Sequence, residues 1–210
     1  MMAKKTARIV LTGGPAAGKT TLMSRVADEL GAKEGWRIIT IPETATELIG
    51  GFGIGPFEGC MSMEQFQRFV IPDQLHKEQL ALRAAETVPQ EKVLILYDRA
   101  VFDDKAYVTD EQFVNILTEL GYTEEEILGH YDAVVHLTTC ARSDTVDAYT
   151  HENSIRYEDA EGAVRMDELA LRAWSAHPNR RVIANAPDFE EKMQTALDAL
   201  RELALECFDK

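Results

Sequence analysis

A phosphate-binding loop is the strongest chemical signal in the sequence. The pattern G-x-x-x-x-G-K-[S/T] is matched in full, between a strand-like apolar run and a helix-like segment, by the octet Gly13-Gly14-Pro15-Ala16-Ala17-Gly18-Lys19-Thr20. Its glycines let the backbone turn tightly and direct several N–H groups to one spot, where the next helix adds its positive dipole end. Lys19 can then reach the β- and γ-phosphates, while the Thr20 hydroxyl is placed to ligate Mg²⁺. With Thr21 next to them, these residues predict a site for ATP or GTP with Mg²⁺.

Two acidic residues follow strand-like runs elsewhere in the chain. Glu43 lies just past the run 36–41, which Pro42 closes, and Asp98 ends the apolar run that begins at residue 93. Ligands of open α/β sheets bind at the carboxyl ends of the strands. Asp98 has the position of a Walker-B carboxylate, which holds magnesium, although acids also end strands as helix caps. The sequence therefore predicts Thr20 and Asp98 as the metal-binding residues.

Strands and helices alternate along the chain, and they must position these groups. Strands are predicted at 8–12, 36–41, 93–98, 132–138 and 181–184. Helices are predicted at 18–30, 44–49, 62–85, 110–120, 123–128, 160–177 and 189–207. This alternation implies a parallel, three-layer α/β fold with right-handed crossovers. About 80 residues separate Lys19 from Asp98, which leaves room for one more strand, as in the kinase-type branch of P-loop proteins with strand order 2-3-1-4-5.

Local signals set several helix ends. Gly31 is expected to end the first helix as its C′ residue. Ser62 with Gln65 forms a capping box that opens the long third helix, and Asp188 is expected to cap the last one.

The third helix carries a polar face, and the fourth strand carries a histidine. Gln67, Gln74 and Glu78 repeat at spacings of seven and four, so they share one side of the helix. A solvent-exposed stripe is the simpler interpretation, and a cleft shaped by a bend at Pro72 is the alternative. His136 has apolar neighbours in its strand and is interpreted as a satisfied core histidine.

Composition limits the kinds of partner. With 210 residues and 45% hydrophobic content, the chain is expected to form a single domain, 1–210. Lys plus Arg is 22 against 36 Asp plus Glu, a net charge of −14 that disfavours nucleic acid and anionic membrane surfaces. No run approaches the ~18 apolar residues of a membrane span. The three cysteines show no C-x-x-C spacing, so a reducing cytoplasm is expected. Oligomeric state is not indicated.

The segment 141–160 has no clean helix or strand period and is rich in polar residues. An excursion of this length in a compact α/β domain is more often a lid or binding loop than an idle connector. Phosphoryl transfer needs more positive charge than Lys19 and one metal ion supply. Arg156, or alternatively Arg142, is the candidate that such a lid would deliver to the phosphates.

Taken together, these motifs resemble the P-loop family labelled "AAA domain", a family of small nucleotide-binding proteins. That family is similar to nucleoside and nucleoside-monophosphate kinases and to the ribosylnicotinamide kinase half of a bacterial NAD-biosynthesis regulator. Its relatives include a eukaryotic GTP-binding protein named for a photoreceptor channel-translocation defect. The matching segments are 12–22, 42–49, 96–107, 153–158 and 174–185. The resemblance implies that Glu43 faces the acceptor hydroxyl as a base or orienting group and that the Asp98-Arg99 pair orients substrate and metal.

Two functions of different classes are consistent with these features. The first is a small-molecule kinase that transfers the ATP γ-phosphoryl group to a nucleoside-like or nucleotide acceptor, with Lys19, Glu43, Arg99 and Arg156 as its catalytic residues. The second is a nucleotide-binding switch, or a slow ATPase or GTPase, that acts through a protein partner. The run Asn185-Ala186-Pro187-Asp188 is faintly similar to the guanine-reading N-K-x-D motif but lacks its lysine.

Overall fold

A five-stranded parallel sheet forms the centre of the fold. The computed structural model of the protein describes residues 4–142 and 160–209. The described strands are β1 (Lys5–Thr12), β2 (Arg37–Ile41), β3 (Lys92–Asp98), β4 (Ala133–Leu137) and β5 (Arg180–Ile183). Their order across the sheet is β2-β3-β1-β4-β5, and every neighbouring pair is parallel. The predicted strand order and strand orientation are both confirmed.

Helices cover both faces of this sheet. In chain order they are α1 (Lys19–Val26), α2 (Thr44–Glu47), α3 (Met63–Thr87), α4 (Val101–Asp104), α5 (Asp110–Glu119), α6 (Glu124–Leu128), α7 (Ala160–Ala173) and α8 (Phe189–Phe208). Among them only α4 was not predicted from the sequence. It is a single turn directly after β3, too short to produce a helical period in the sequence.

The core consists of two layers separated by the sheet. Alternate side chains of a strand point to opposite faces. Ile9 and Leu11 of β1 therefore pack with buried residues of α1 and α8, whereas Val10 packs with α3, α5 and Trp174 on the other face. Because the middle strands are buried on both faces, they are nearly continuous apolar runs in the sequence. The predicted three-layer architecture follows from this burial.

The end of the first helix differs from the prediction. The helix does not stop at Gly31 but continues beyond Val26 as a π-helical segment, Ala27–Lys33. Gly35 has the positive φ of 75° that a chain-reversing glycine takes, and it precedes β2. The wider π turn carries the backbone past Gly31, so the earlier glycine is not used as the C′ residue. The capping signals at Ser62 and Asp188 were correct, since each side chain accepts a backbone N–H at the start of a helix.

The polar face of α3 is buried, so its interpretation as a solvent-exposed stripe was wrong. Gln67, Gln74 and Glu78 are each no more than 3% exposed. Gln74 accepts a hydrogen bond from the Thr44 hydroxyl at 2.5 Å and donates to Glu78 at 3.0 Å. Tyr131 also donates to Glu78, at 2.8 Å. These contacts satisfy Gln74 and Glu78, which would be costly to bury alone, whereas Gln67 Oε1 has no hydrogen-bond partner among the described residues.

Candidate active site

The phosphate-binding loop joins the end of β1 to the start of α1, as predicted. Two of its glycines have backbone angles that other residues rarely adopt, with φ of 132° at Gly13 and 98° at Gly18. A Cβ atom on Gly13 would lie 2.1 Å from the Leu137 carbonyl oxygen of β4. Glycine is therefore required there both by conformation and by the close approach of a neighbouring strand.

Lys19 is held over the loop by two backbone carbonyls. Its Nζ donates to the carbonyl oxygens of Gly13 and Gly14, each at 3.2 Å. Burial and the positive charge of Arg99 lower the pKa of Lys19 to about 8, against the opposing influence of Asp98. The ammonium group thus lies where an anion bound by the loop would replace its carbonyl partners.

A buried aspartate of α7 holds the loop from behind. Asp167 Oδ1 accepts hydrogen bonds from the backbone N–H groups of Gly14 at 2.8 Å and Thr139 at 3.1 Å. His136 Nε2 lies 3.2 Å from the same oxygen. Burial opposes ionisation of Asp167, but His136 and the two N–H groups outweigh it and lower its pKa. Asp167 therefore sets the orientation of the first peptide of the loop.

A second buried aspartate holds the strand that enters the loop. Asp103 of α4 accepts hydrogen bonds from the Thr12 hydroxyl, from the Ala100 N–H at 3.0 Å and from the Trp174 indole at 3.2 Å. Sequence reasoning missed both aspartates, since neither lies in a recognisable motif. Their only sequence signal is an acid inside an otherwise apolar helical face, which appears at Asp167 between Ala163 and Ala170.

Glu43 and Arg99 meet across the ends of the neighbouring strands β2 and β3, a contact that the sequence analysis did not predict. Arg99 Nε lies 2.8 Å from Glu43 Oε1, and its Nη1 lies 3.6 Å from Asp103 Oδ1. Arg99 is 9% exposed and has a positive φ of 65°, which is uncommon for a residue with a side chain. Its N–H donates to the Leu11 carbonyl at 2.9 Å, so the turn after β3 is anchored on β1. This turn aims the guanidinium at Glu43 and α4.

Asp98 has the features of a metal ligand. Its Oδ1 atom is buried and has no hydrogen-bond partner within residues 4–142 and 160–209. Burial raises the pKa of Asp98, while the charge of Lys19 opposes the shift. Thr20 is exposed at the start of α1. The described residues contain no cluster of three or more ligating His, Cys, Asp or Glu side chains. The side chains of Asp98 and Thr20 carry oxygen atoms, the kind of ligand that Mg²⁺ prefers.

Of the two arginines predicted for a lid, only Arg142 lies within the described residues. Arg142 is on a 3₁₀ turn after β4, with its Nη2 2.8 Å from Glu168 and its Nε 3.5 Å from Asp167. Arg156, and with it the segment 143–159, lies outside the described residues.

The guanine-reading interpretation of 185–188 gains no support, because Asp188 caps α8 by accepting the Glu190 N–H at 3.1 Å.

The loop, the sheet order and the acidic strand ends define a P-loop protein of the kinase-type branch. The chain belongs to the family described as "AAA domain", whose model matches residues 8–192. Among solved structures, thymidylate kinase from Candida albicans superposes with a TM-score of 0.62 at 16% sequence identity, over 98% of this chain and 94% of that chain. This likeness concerns the fold. A search of curated proteins by sequence finds no match. Within the described residues, no helix is long and apolar enough to cross a membrane.

Proposed function

We propose that this protein transfers the γ-phosphoryl group of ATP to a hydroxyl group of a small, nucleoside-like acceptor. The observation that carries the proposal is the Glu43–Arg99 ion pair beside Lys19, at the carboxyl ends of adjacent strands. A switch needs the loop and the metal ligands alone, whereas a kinase also needs a carboxylate placed for the acceptor. Glu43 supplies that carboxylate.

The donor side uses the phosphate-binding loop. Lys19 neutralises charge on the β- and γ-phosphates once these replace its contacts to the loop carbonyls. Thr20 and Asp98 would hold Mg²⁺, which supplies further neutralisation of the phosphate oxygens. Phosphoryl transfer demands positioning and charge stabilisation more than covalent chemistry, and these groups provide both.

On the acceptor side, Glu43 accepts the proton of the attacking hydroxyl or orients that hydroxyl. Its carboxylate forms an ion pair with Arg99, and Arg99 forms a second, longer ion pair with Asp103, so charge attraction holds the three side chains together. The Thr46 hydroxyl donates to Glu43 Oε2 at 2.6 Å, so both oxygens of the carboxylate are oriented. This degree of ordering suits a group that must meet a substrate in one geometry.

The charge balance around Arg99 favours an acceptor that carries no phosphate. Glu43 and Asp103 contact its guanidinium, and Asp98 lies close enough to influence it. Burial and the negative charge of Asp103 raise the pKa of the neighbouring Asp104 well above the usual range, so a further negative charge is disfavoured at this site. A monophosphate would bring two more negative charges to a site whose described arginine is already neutralised. We therefore propose a neutral or cationic acceptor with a free hydroxyl group. Arg156 remains the proposed arginine of the lid, 141–160.

The decisive test measures turnover with nucleosides and with the corresponding 5′-monophosphates. We expect acceptor-dependent ADP formation with one or more nucleosides, and Glu43→Gln to lower that rate by on the order of 10²-fold while barely changing triphosphate affinity. Glu47→Gln is the matched control, because Glu47 lies one turn later on α2 and pairs with Lys77 on the surface. Full turnover in Glu43→Gln would remove the base role. A preference for monophosphates would refute the charge argument, and hydrolysis that no acceptor stimulates would favour the switch.

A further inference from the structure

A lysine of α8 is buried directly behind the phosphate-binding loop. Lys192 is 2% exposed, and its Nζ donates to the carbonyl oxygens of Ala17 at 2.9 Å and Thr138 at 2.6 Å. It also donates to the Asn185 side-chain oxygen at 2.9 Å. These three neutral acceptors match the three N–H donors of an ammonium group. The hydrogen bonding of Lys192 is thus complete.

Among residues 4–142 and 160–209, in contrast, no carboxylate forms an ion pair with Lys192. The titratable groups that influence it are the Cys140 thiol, 3.8 Å away, and the more distant Asp167. Burial lowers the pKa of Lys192, against the influence of Cys140 and Asp167. A buried cation without an anionic partner is energetically costly, so we expect a bound anion to pair with Lys192.

Peptide geometry shows where such an anion would lie. In a trans peptide the C=O and N–H groups point in opposite directions. Because Lys192 holds the Ala17 carbonyl, it directs the N–H of Gly18 away from α8, toward the inner side of the loop. Lys19, the next residue, has its ammonium group on that inner side, over the carbonyls of Gly13 and Gly14. The ammonium of Lys192 therefore polarises and aims one of the N–H groups that would contact phosphate.

We propose that Lys192 is a positioning residue for the bound triphosphate. It orients the Ala17–Gly18 peptide and supplies a buried positive charge that attracts the phosphates. Asn185 acts with it, because its side-chain nitrogen donates to the Thr139 carbonyl at 2.9 Å and so fixes the oxygen that Lys192 contacts. The inference rests on triphosphate binding at the loop and is independent of the acceptor. It also gives a function to Asn185, which the guanine-reading motif did not explain.

The test compares the affinity of Mg-ATP with thermal stability in the full-length protein. We expect Lys192→Met to weaken Mg-ATP binding by on the order of tenfold or more, the scale of a single charge acting through a low-dielectric interior. The loss for AMP should be smaller, because fewer phosphate charges are affected. Asp132→Asn is the control, since it removes a partly buried ion pair with Arg8 (2.9 Å) at the opposite end of β4. It should lower the melting temperature without changing affinity.

A second variant keeps the test informative if Lys192→Met does not fold. Asn185→Asp retains an oxygen toward Lys192 and gives the ammonium an ionic partner within the protein. A triphosphate would then gain less from the same charge, so Mg-ATP affinity should fall at least about fivefold in a protein that remains folded. Unchanged affinity in either folded variant, with only the melting temperature altered, would overturn the inference. Failure of the wild-type protein to bind Mg-ATP would overturn the proposed function as well, so the two failures are distinguishable.

Discussion

The protonation of Lys19 should make triphosphate binding depend on pH in the alkaline range. Burial, followed by the charge of Arg99, lowers the pKa of this lysine to about 8 in the free protein. A bound polyphosphate requires the ammonium form, which it stabilises. Because the pKa is lowered, the binding-competent form is lost as pH rises through 8 and not near 10.5. Affinity for Mg-ATP should therefore fall over a range in which an exposed lysine would keep its charge.

The magnitude follows from the fraction of Lys19 that carries its proton. A group with a pKa of about 8 is about 91% protonated at pH 7 and about 9% at pH 9. The apparent dissociation constant varies inversely with the competent fraction, so we expect about a tenfold weaker affinity at pH 9 than at pH 7. Magnesium must be saturating at every pH, so that the ligand remains the same metal complex.

The assay is isothermal titration calorimetry or nucleotide fluorescence across pH 7 to 9.5. Lys19→Arg is the informative control, because arginine keeps its charge throughout and should give a flat, weaker profile. Burial also lowers the pKa of Lys192, so Lys192→Met shows whether the pH dependence of affinity comes from Lys19 or from Lys192. A flat profile for the wild-type protein, with tight binding at pH 9, would refute the role of the lowered Lys19 pKa.

Three further predictions concern the metal, the lid and the core. Asp98→Asn alters a proposed metal ligand and should lower turnover by about 10²-fold. It should also weaken ATP binding more in the presence of magnesium than in the presence of EDTA, and equal losses of affinity under the two conditions would contradict the metal role. Arg156→Ala should reduce turnover by roughly 10² to 10³ and change nucleotide affinity less than tenfold, and a variant with normal kinetics would remove this arginine from catalysis. Trp174→Phe should lower the free energy of unfolding by about 2 kcal/mol in urea titrations, because it deletes the buried indole hydrogen bond to Asp103; an unchanged midpoint would mean that this bond adds no net stability.

Sequence reasoning was most successful where chemistry or burial acts locally. The loop was recognised because its glycines, Lys19 and Thr20 must be contiguous to surround a phosphate. The parallel strands were recognised because apolar runs mark strands buried on both faces. Their order, now confirmed, was predicted from the separation of Lys19 and Asp98, as in the kinase-type branch of P-loop proteins. The mistakes at Gly31 and on the polar face of α3 have a different cause, since neither the π turn nor the burial of Gln67 depends on nearby residues alone.

The sequence by itself determined the class of fold, the position of the P-loop and the strand ends where Glu43, Asp98 and Arg99 lie. Only the tertiary structure decided how these residues are supported. Asp167 and Lys192 are 153 and 175 residues from the loop atoms that they hold. His136 was expected to be a satisfied core residue, but it is buried with its Nε2 beside Asp167 and without a well-formed hydrogen bond to the described residues. Such pairings depend on which helices pack beneath the loop, and residues so far apart in the sequence carry no local pattern that records the contact.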